Sequence, residues 1–420
     1  MKNSSIRAAA RVVAALLATL MLVSCSGCAK LREFFHIPGG GPDETGLSPD
    51  GSGDESGEHD PNASPEDTKP TVIIPEVPDL TFPEPATTVL PEIYRDPLTA
   101  MLARYDVTAL RPAMIVYDNC NAASPQSGIG RAGVVIEVPT NNGQTILCGI
   151  HNDMIGQTGS ELYGPIAEAN CNALSVSRAF DAYLLCSGRD EAADEAIYEA
   201  AGDPNSRLAV IDALNEEQAP EGFWRDIERI KQYGYTHSMC ITAVAAASIP
   251  VQFGINVQSA SPLADLFSFA PNGWNVPTGA QSKHVVITYS QYQRIQLIYD
   301  NKNNVYIRYQ FGAKPHTDSE TGASLAFANV VILNAPATDL GDGVLRITGT
   351  GTGTFITAGK SNAIIWSRAD ENAPFSFRMT NSKEPVFNAG KTLICILPSS
   401  VSESGGVILD YNAKRDGDLK

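Results

Sequence analysis

The sequence predicts a mixed α/β region followed by an all-β region, carried behind a long structureless leader. Three observations predict it. Between about residues 95 and 255, short apolar runs alternate with stretches of helical period, the pattern of a sheet flanked by helices. Between about residues 283 and 400, strands and turns recur about every 8–12 residues, the pattern of a sandwich or open barrel. Ahead of both, residues 25–94 are dominated by Pro, Gly, Ser, Asp and Glu and lack apolar periodicity.

Residues 1–24 begin with the positive charges Lys2, Arg7 and Arg11 and continue into the apolar run Val12–Val23. That run is too short to span a bilayer, which takes roughly 20 apolar residues. A basic start with a short apolar core is a secretory signal. It ends in Leu22-Val23-Ser24-Cys25, which resembles a bacterial lipobox and implies lipidation at Cys25. Two acyl chains hold a protein stably to a leaflet. The expected address is therefore the outer face of the cytoplasmic membrane. Plain secretion with cleavage near Ser26 is the alternative.

The segment 25–94 cannot bury enough apolar surface to offset chain entropy and is expected to be disordered. From Asp43 to Glu92 it holds 13 acids and one base, Lys69, which is −12 of the chain's −17. The acidity thus belongs to a self-repelling tether and says nothing about a substrate. A coil of this length reaches on the order of 40–50 Å. Without a basic stripe interleaved with aromatics, nothing points to nucleic acid.

In the α/β region, Ala113–Tyr117 reads as a buried strand, stopped by the turn-forming Asp118-Asn119. Gly133–Val138 and Gln144–Ile150 read as strands joined by the hairpin turn Asn141-Asn142-Gly143. Helices are expected over Ile166–Phe180, Asp190–Ala201, Glu221–Tyr233 and Thr242–Ser248, with strands at Ala182–Cys186 and Leu208–Ile211. The hairpin makes the sheet mixed rather than parallel throughout. Residues 256–282, with several Pro and Gly, read as an interdomain connection.

The second region is expected to be nearly helix-free. Its strands are Val285–Tyr289, Arg294–Tyr299, Val305–Phe311, Phe327–Leu333, Val344–Thr348, Thr354–Ala358, Ala363–Ser367, Phe375–Met379 and Thr392–Leu397. The Gly/Thr alternation from Thr348 to Thr354 lacks the lysine of a phosphate loop and reads as strand and tight turn. Residues 401–420 form a tail. Six cysteines lie beyond the tether, at 120, 148, 171, 186, 240 and 395, without C-x-x-C spacing. Export permits disulfides, but a core of this size does not need them, so mostly free thiols are expected.

Candidate chemistry is sparse. His316 and Asp318 stand two apart, so an extended segment places both on one side, where they suit an acid–base pair or part of a metal site. The competing reading is a loop clasp in which Asp318 orients His316 and Arg308 neutralises the acid. His237 and His284 are possible further donors, although His237 reads first as a helix cap. Ser127 lacks the G-x-S-x-G elbow of hydrolases. Asp118 and Asn119 at a strand end suit a cleft, as does Glu137 beside the hairpin. Gln126 and Asn329 complete the candidates. No catalytic triad, nucleotide loop or metal cluster stands out, so no cofactor is expected.

Several blocks resemble the YerB-type lipoproteins. Arg111–Asn119, Ser124–Gly128 and Ala132–Glu137 are similar to that family's N-terminal domain. Tyr306–Arg308, Gly312, Pro315–Asp318, Thr321-Gly322, Ala328–Val330, Gly351–Gly353, Gly359-Lys360 and Trp366 are similar to its C-terminal domain. The resemblance implies a bacterial surface lipoprotein of two paired domains and implies no particular reaction. Two charged family segments are replaced here by Gly143–Ile146 and Gly164–Ala169, which carry one charge between them, Glu168. The expected role is non-enzymatic binding or scaffolding at the cell envelope, with wall polymer or another envelope protein as partner. A hydrolase centred on His316 and Asp318, or a solute receptor using an interdomain cleft, are the alternatives. The oligomeric state is not set by the sequence.

Overall fold

The computed structural model describes residues 93–154, 161–216, 220–260, 263, 266–338 and 343–412. The signal segment, Cys25 and nearly all of the expected linker lie outside the described residues. The fold is mostly sheet with few helices. Its main strands and helices are β1 (Ala113–Asp118), β2 (Val134–Pro139), β3 (Thr145–His151), α1 (Cys171–Ala179), β4 (Tyr183–Cys186), α2 (Glu191–Ala201), β5 (Ala209–Asp212), α3 (Ile227–Tyr233), β6 (Met239–Thr242) and α4 (Ala243–Gln252). The chain continues through β7 (His284–Thr288), β8 (Arg294–Asp300), β9 (Val305–Tyr309), β10 (Asn329–Ala335), β11 (Gly349–Thr357), β12 (Lys360–Arg368) and β13 (Thr392–Pro398).

One sheet of eleven strands runs through both sequence regions. Its main order is β12-β11-β10-β13-β2-β3-β1-β4-β5, with Ala280–Gln281 and Ser376–Met379 pairing on β12. The join is β13 beside β2, parallel, from Thr392 opposite Val134 to Cys395 opposite Glu137. Residues 256–282 therefore separate the two regions along the chain but not in the sheet. The physical reason is that β2 and β13 are buried on both faces and each needs a neighbour on both edges.

The period of two explains the two cores. Met114, Val116, Val134, Ile136 and Val138 face one side, where α1 and a cluster of phenylalanines cover them. Ala113, Ile115, Tyr117, Val135 and Leu393 face the other. There they meet α4 and a second, antiparallel sheet built on β7, β8 and β9. Glu137 follows Val135 by two and so points its carboxylate into this second interface.

Turns and caps follow local chemistry. The β2–β3 hairpin closes with Thr140 N–H donating to Gln144 O at 2.9 Å, and Gly143 takes φ +76°. Asn170 caps α1, Asp190 caps α2 and Thr242 caps α4, each accepting from the backbone three residues on. Two expected helices are shorter than their patterns. The one expected from Ile166 starts at Cys171, because Asn170 provides the cap. The one expected from Glu221 starts at Ile227, because Asp226 caps it and Phe223–Arg225 pairs instead with Met239–Ile241. Of the expected strand Val344–Thr348, Leu345 makes a single bridge to Ala337. All six described cysteines are free, four of them buried.

The Gly/Thr alternation has a packing cause. A Cβ on Gly351 would lie 2.5 Å from the indole of buried Trp366, and one on Gly353 would lie 2.4 Å from Ile332 O. Gly351→Val is expected to overpack this seam and cost about 1–3 kcal/mol. Urea denaturation of the variant checks it.

Candidate functional site

Where the two sheets meet, Glu137 and Arg308 form an ion pair, Oε2 to Nη2 at 2.9 Å, with both side chains at 0% exposure. A buried carboxylate needs its lone pairs filled. The other oxygen of Glu137 accepts from Thr145 Oγ1 at 2.8 Å, Gln293 Nε2 at 3.0 Å and Asn119 Nδ2 at 3.4 Å. Asn119 also donates to Thr145 Oγ1 at 2.7 Å, and its backbone carbonyl accepts from Gln310 Nε2 at 3.1 Å. Residues from both sequence regions thus meet on one carboxylate.

Arg308 extends the chain of contacts through Nη1, which donates to His316 Nδ1. His316 Nδ1 must then be the bare nitrogen, and Nε2 carries the proton that it donates to Gln126 Oε1 at 2.5 Å. Gln126 in turn donates from Nε2 to Asp118 O at 2.7 Å. Burial, and then the neighbouring guanidinium, push the His316 imidazole well below its ordinary value, so it stays neutral.

Five of the sequence candidates, Asn119, Gln126, Glu137, Arg308 and His316, therefore converge. They converge in the interior: His316 is 4% exposed and its bare nitrogen is already engaged. His316 and Asp318 both face the Gln126–Arg131 loop, as alternation predicts, but take different partners. Asp318 accepts from Gly130 N at 2.7 Å and from Glu320 N at 2.8 Å in its own turn. Arg308 serves Glu137 rather than Asp318. The cation whose charge Asp318 supports is Lys391, against the effect of burial. Ser127 holds Ser319 hydroxyl to hydroxyl at 2.7 Å. Asn329 sits elsewhere, at the start of β10, pinned to Asn388, Thr357 and Thr392.

Two cavities flank this seam. One, of about 600 Å³, is lined by Gln293 and Gln310 of the seam together with Ser290, Gln291, Tyr292, Arg294, Gln296, Tyr309 and Phe311. Tyr292 and Phe311 are 67% and 43% exposed. Gln310 Oε1 is buried without a hydrogen-bond partner among the described residues. The other cavity is lined by Asp118, Cys120 and His237. His237 does not cap a helix with its ring: Nδ1 lies 2.5 Å from Asp118 Oδ2 and 3.5 Å from Cys120 Sγ. Cys120 Sγ also lies 3.9 Å from Nε2, so the thiol sits beside the ring while Asp118 meets Nδ1. Burial and Asp118 push the Cys120 thiol up to about 11, opposite to an activated nucleophile.

The sequence reading did not select Gln293, Gln310, Tyr292, Phe311 or Cys120. The one signal available was the Asp-x-Cys spacing at 118–120. The glutamines stand on ordinary strand ends and only pairing gives them a role.

Comparison with known proteins agrees with the fold. The model described as "Protein of unknown function (DUF3048) N-terminal domain" matches residues 98–248, and its C-terminal counterpart matches residues 285–394. The Bacillus subtilis protein named "Putative lipoprotein YerB" is 26% identical over 323 residues, covering 74% of this chain and 89% of the relative. The crystal structure of YerB from Bacillus subtilis superposes with a TM-score of 0.61 at 21% identity, over 75% of this chain and 98% of that one. Among the described residues, no helix is long and apolar enough to cross a membrane.

Removing one partner of the seam leaves the other charge buried. Glu137→Ala is expected to destabilise by about 3–5 kcal/mol, and the double variant Glu137→Leu, Arg308→Met by much less. Denaturant midpoints of the two variants check this. His316 and His151, the latter held at about 3 by burial, are neutral in the native state. Below the ordinary histidine value near 6.5 the unfolded chain binds protons that the native chain refuses. Stability is therefore kept above about pH 6.5 and lost as pH falls, by about 1.4 kcal/mol per pH unit for each histidine. Denaturation across pH 4–8, with histidine NMR shifts that stay flat down to pH 5, checks it.

Proposed function

The chain belongs to the YerB-like family of paired DUF3048 domains, and from that premise we propose that it is a lipid-anchored binding protein of the cell envelope. The anchor rests on the charge order, apolar length and lipobox of residues 1–25 and agrees with the name of the Bacillus relative. The lipid is expected on Cys25, and the folded part on the outer face of the cytoplasmic membrane.

The cavity beside Tyr292 and Phe311 carries the binding reading. Its volume of about 600 Å³ falls within the usual range for ligand sites. It combines exposed aromatic faces with side-chain amides that both donate and accept. That combination suits a polyhydroxylated polymer, whose rings have apolar faces and hydroxyl rims. Buried Gln293 and Gln310, fixed by Glu137 and Asn119, back the wall and hold its shape, so little conformational freedom is lost when Gln291, Tyr292 and Gln296 meet a ligand. Wall glycan is the partner with this chemistry nearest the expected address. A hydrolytic role for His316 and Asp318 is not favoured, since both are buried and separately satisfied.

The full-length protein is expected to sediment with purified wall glycan. Tyr292→Ala with Gln296→Ala should cut retention about tenfold or more while the circular dichroism spectrum is unchanged. Equal retention of the variant, or none of the native protein, removes the reading. Cys25→Ser is expected to abolish labelled palmitate incorporation and to shift the protein out of the membrane fraction.

A further inference from the structure

Asp118, Cys120 and His237 lie at the wall of the second cavity, of about 540 Å³, outside the buried seam. We propose that these three side chains form a mononuclear site for a divalent transition metal of the zinc class, with the fourth position open to the cavity. Their ligand atoms all lie within 4.8 Å of one another. One sulfur, one imidazole nitrogen and one carboxylate oxygen make a donor set of the borderline-soft kind that zinc takes. Three protein ligands with an open position is the arrangement of reactive rather than structural zinc.

The spacing fits. Tetrahedral zinc, with bonds of about 2.3 Å to sulfur and 2.0–2.1 Å to nitrogen, holds those two atoms about 3.6 Å apart. Cys120 Sγ lies 3.5 Å from His237 Nδ1 and 3.9 Å from Nε2, beside the ring, so the right separation is present and a turn of the thiol about its Cα–Cβ bond brings it into line with the Nδ1 lone pair. Asp118 Oδ2 is closer to the same nitrogen, at 2.5 Å, because a proton now occupies the space between them. Asp118 is a partly exposed side chain at the end of β1, so a torsion opens that gap.

The two loops that bring the ligands are already clamped together. Buried Arg229 donates to His237 O at 3.1 Å on one side, and to Ala123 O at 2.7 Å and Pro125 O at 3.2 Å on the other. The cavity also favours a cation. Glu168 and Asp190 line it, and Arg225, which lines it too, is stacked over Tyr235 at 3.9 Å and bonded to that residue's carbonyl. On binding, the thiol releases its proton to solvent and the imidazole proton moves from Nδ1 to Nε2. The metal bonds to Sγ, Nδ1 and Oδ2, and a water fills the fourth position.

The site is independent of the glycan cavity and is tested without it. The full-length chain is titrated with cobalt(II) and zinc(II). The expected result is one equivalent bound, with a thiolate-to-cobalt charge-transfer band that Cys120→Ser abolishes. His237→Ala should weaken zinc binding about tenfold or more. Cys28→Ser and Cys171→Ser should leave both readouts unchanged. Zinc should also protect Cys120 from alkylation, read by mass spectrometry on the native chain, which decides the matter if Cys120→Ser does not fold. Absence of stoichiometric binding, a band that survives Cys120→Ser, or alkylation of Cys120 unaffected by zinc overturns the proposal.

Discussion

A carboxylate buried between two sheets needs a cation and a full set of donors, and in this protein Glu137 finds them only when both halves of the sequence are in place. Taking a carboxylate and a guanidinium out of water costs several kcal/mol for each ion, and their attraction offsets that only with good geometry and saturated lone pairs. Thr145 and Asn119 come from the first half of the chain; Gln293 and Arg308 come from the second. Half a seam would leave an unpaired charge in an apolar interface. The pair therefore acts against partly docked states more than it adds to net stability.

The backbone enforces the same union by another route. β2 and β13 are buried on both faces and lie side by side in the middle of the large sheet. Neither can serve as an edge without exposing a ladder of unpaired amides beside apolar side chains. The register that sets Cys395 opposite Glu137 also aims Glu137 at the second sheet, where Arg308 arrives on β9. Sheet continuity and charge burial are thus two consequences of one docking event.

This arrangement places function at the edges of the seam. Residues within it are too buried to meet a ligand, but they fix those that do. Gln293 and Gln310 carry its order to the cavity of Tyr292 and Phe311, and Gln126 carries it through Asp118 O to the strand end that bears Asp118 and leads to Cys120. Glu137 and Arg308 line neither cavity, yet their hydrogen-bond partners line both.

The sequence by itself determined the strands of the central sheet, the hairpin at Asn141–Gly143, the scarcity of helix after residue 283 and the family. These depend on local periodicity and turn chemistry, which a short window contains. It also singled out Asn119, Gln126, Glu137, Arg308 and His316 as candidate cleft or binding residues. Only the tertiary structure decided that they are partners and buried, that Arg308 answers Glu137 rather than Asp318, and that His237 meets Asp118 across 119 residues of chain. Helix starts at Cys171 and Ile227 moved for a related reason, since caps and strand pairing overrode apolar spacing. Pairing between distant residues is set by how the sheets dock, and no local pattern encodes which of several acids a given arginine will reach.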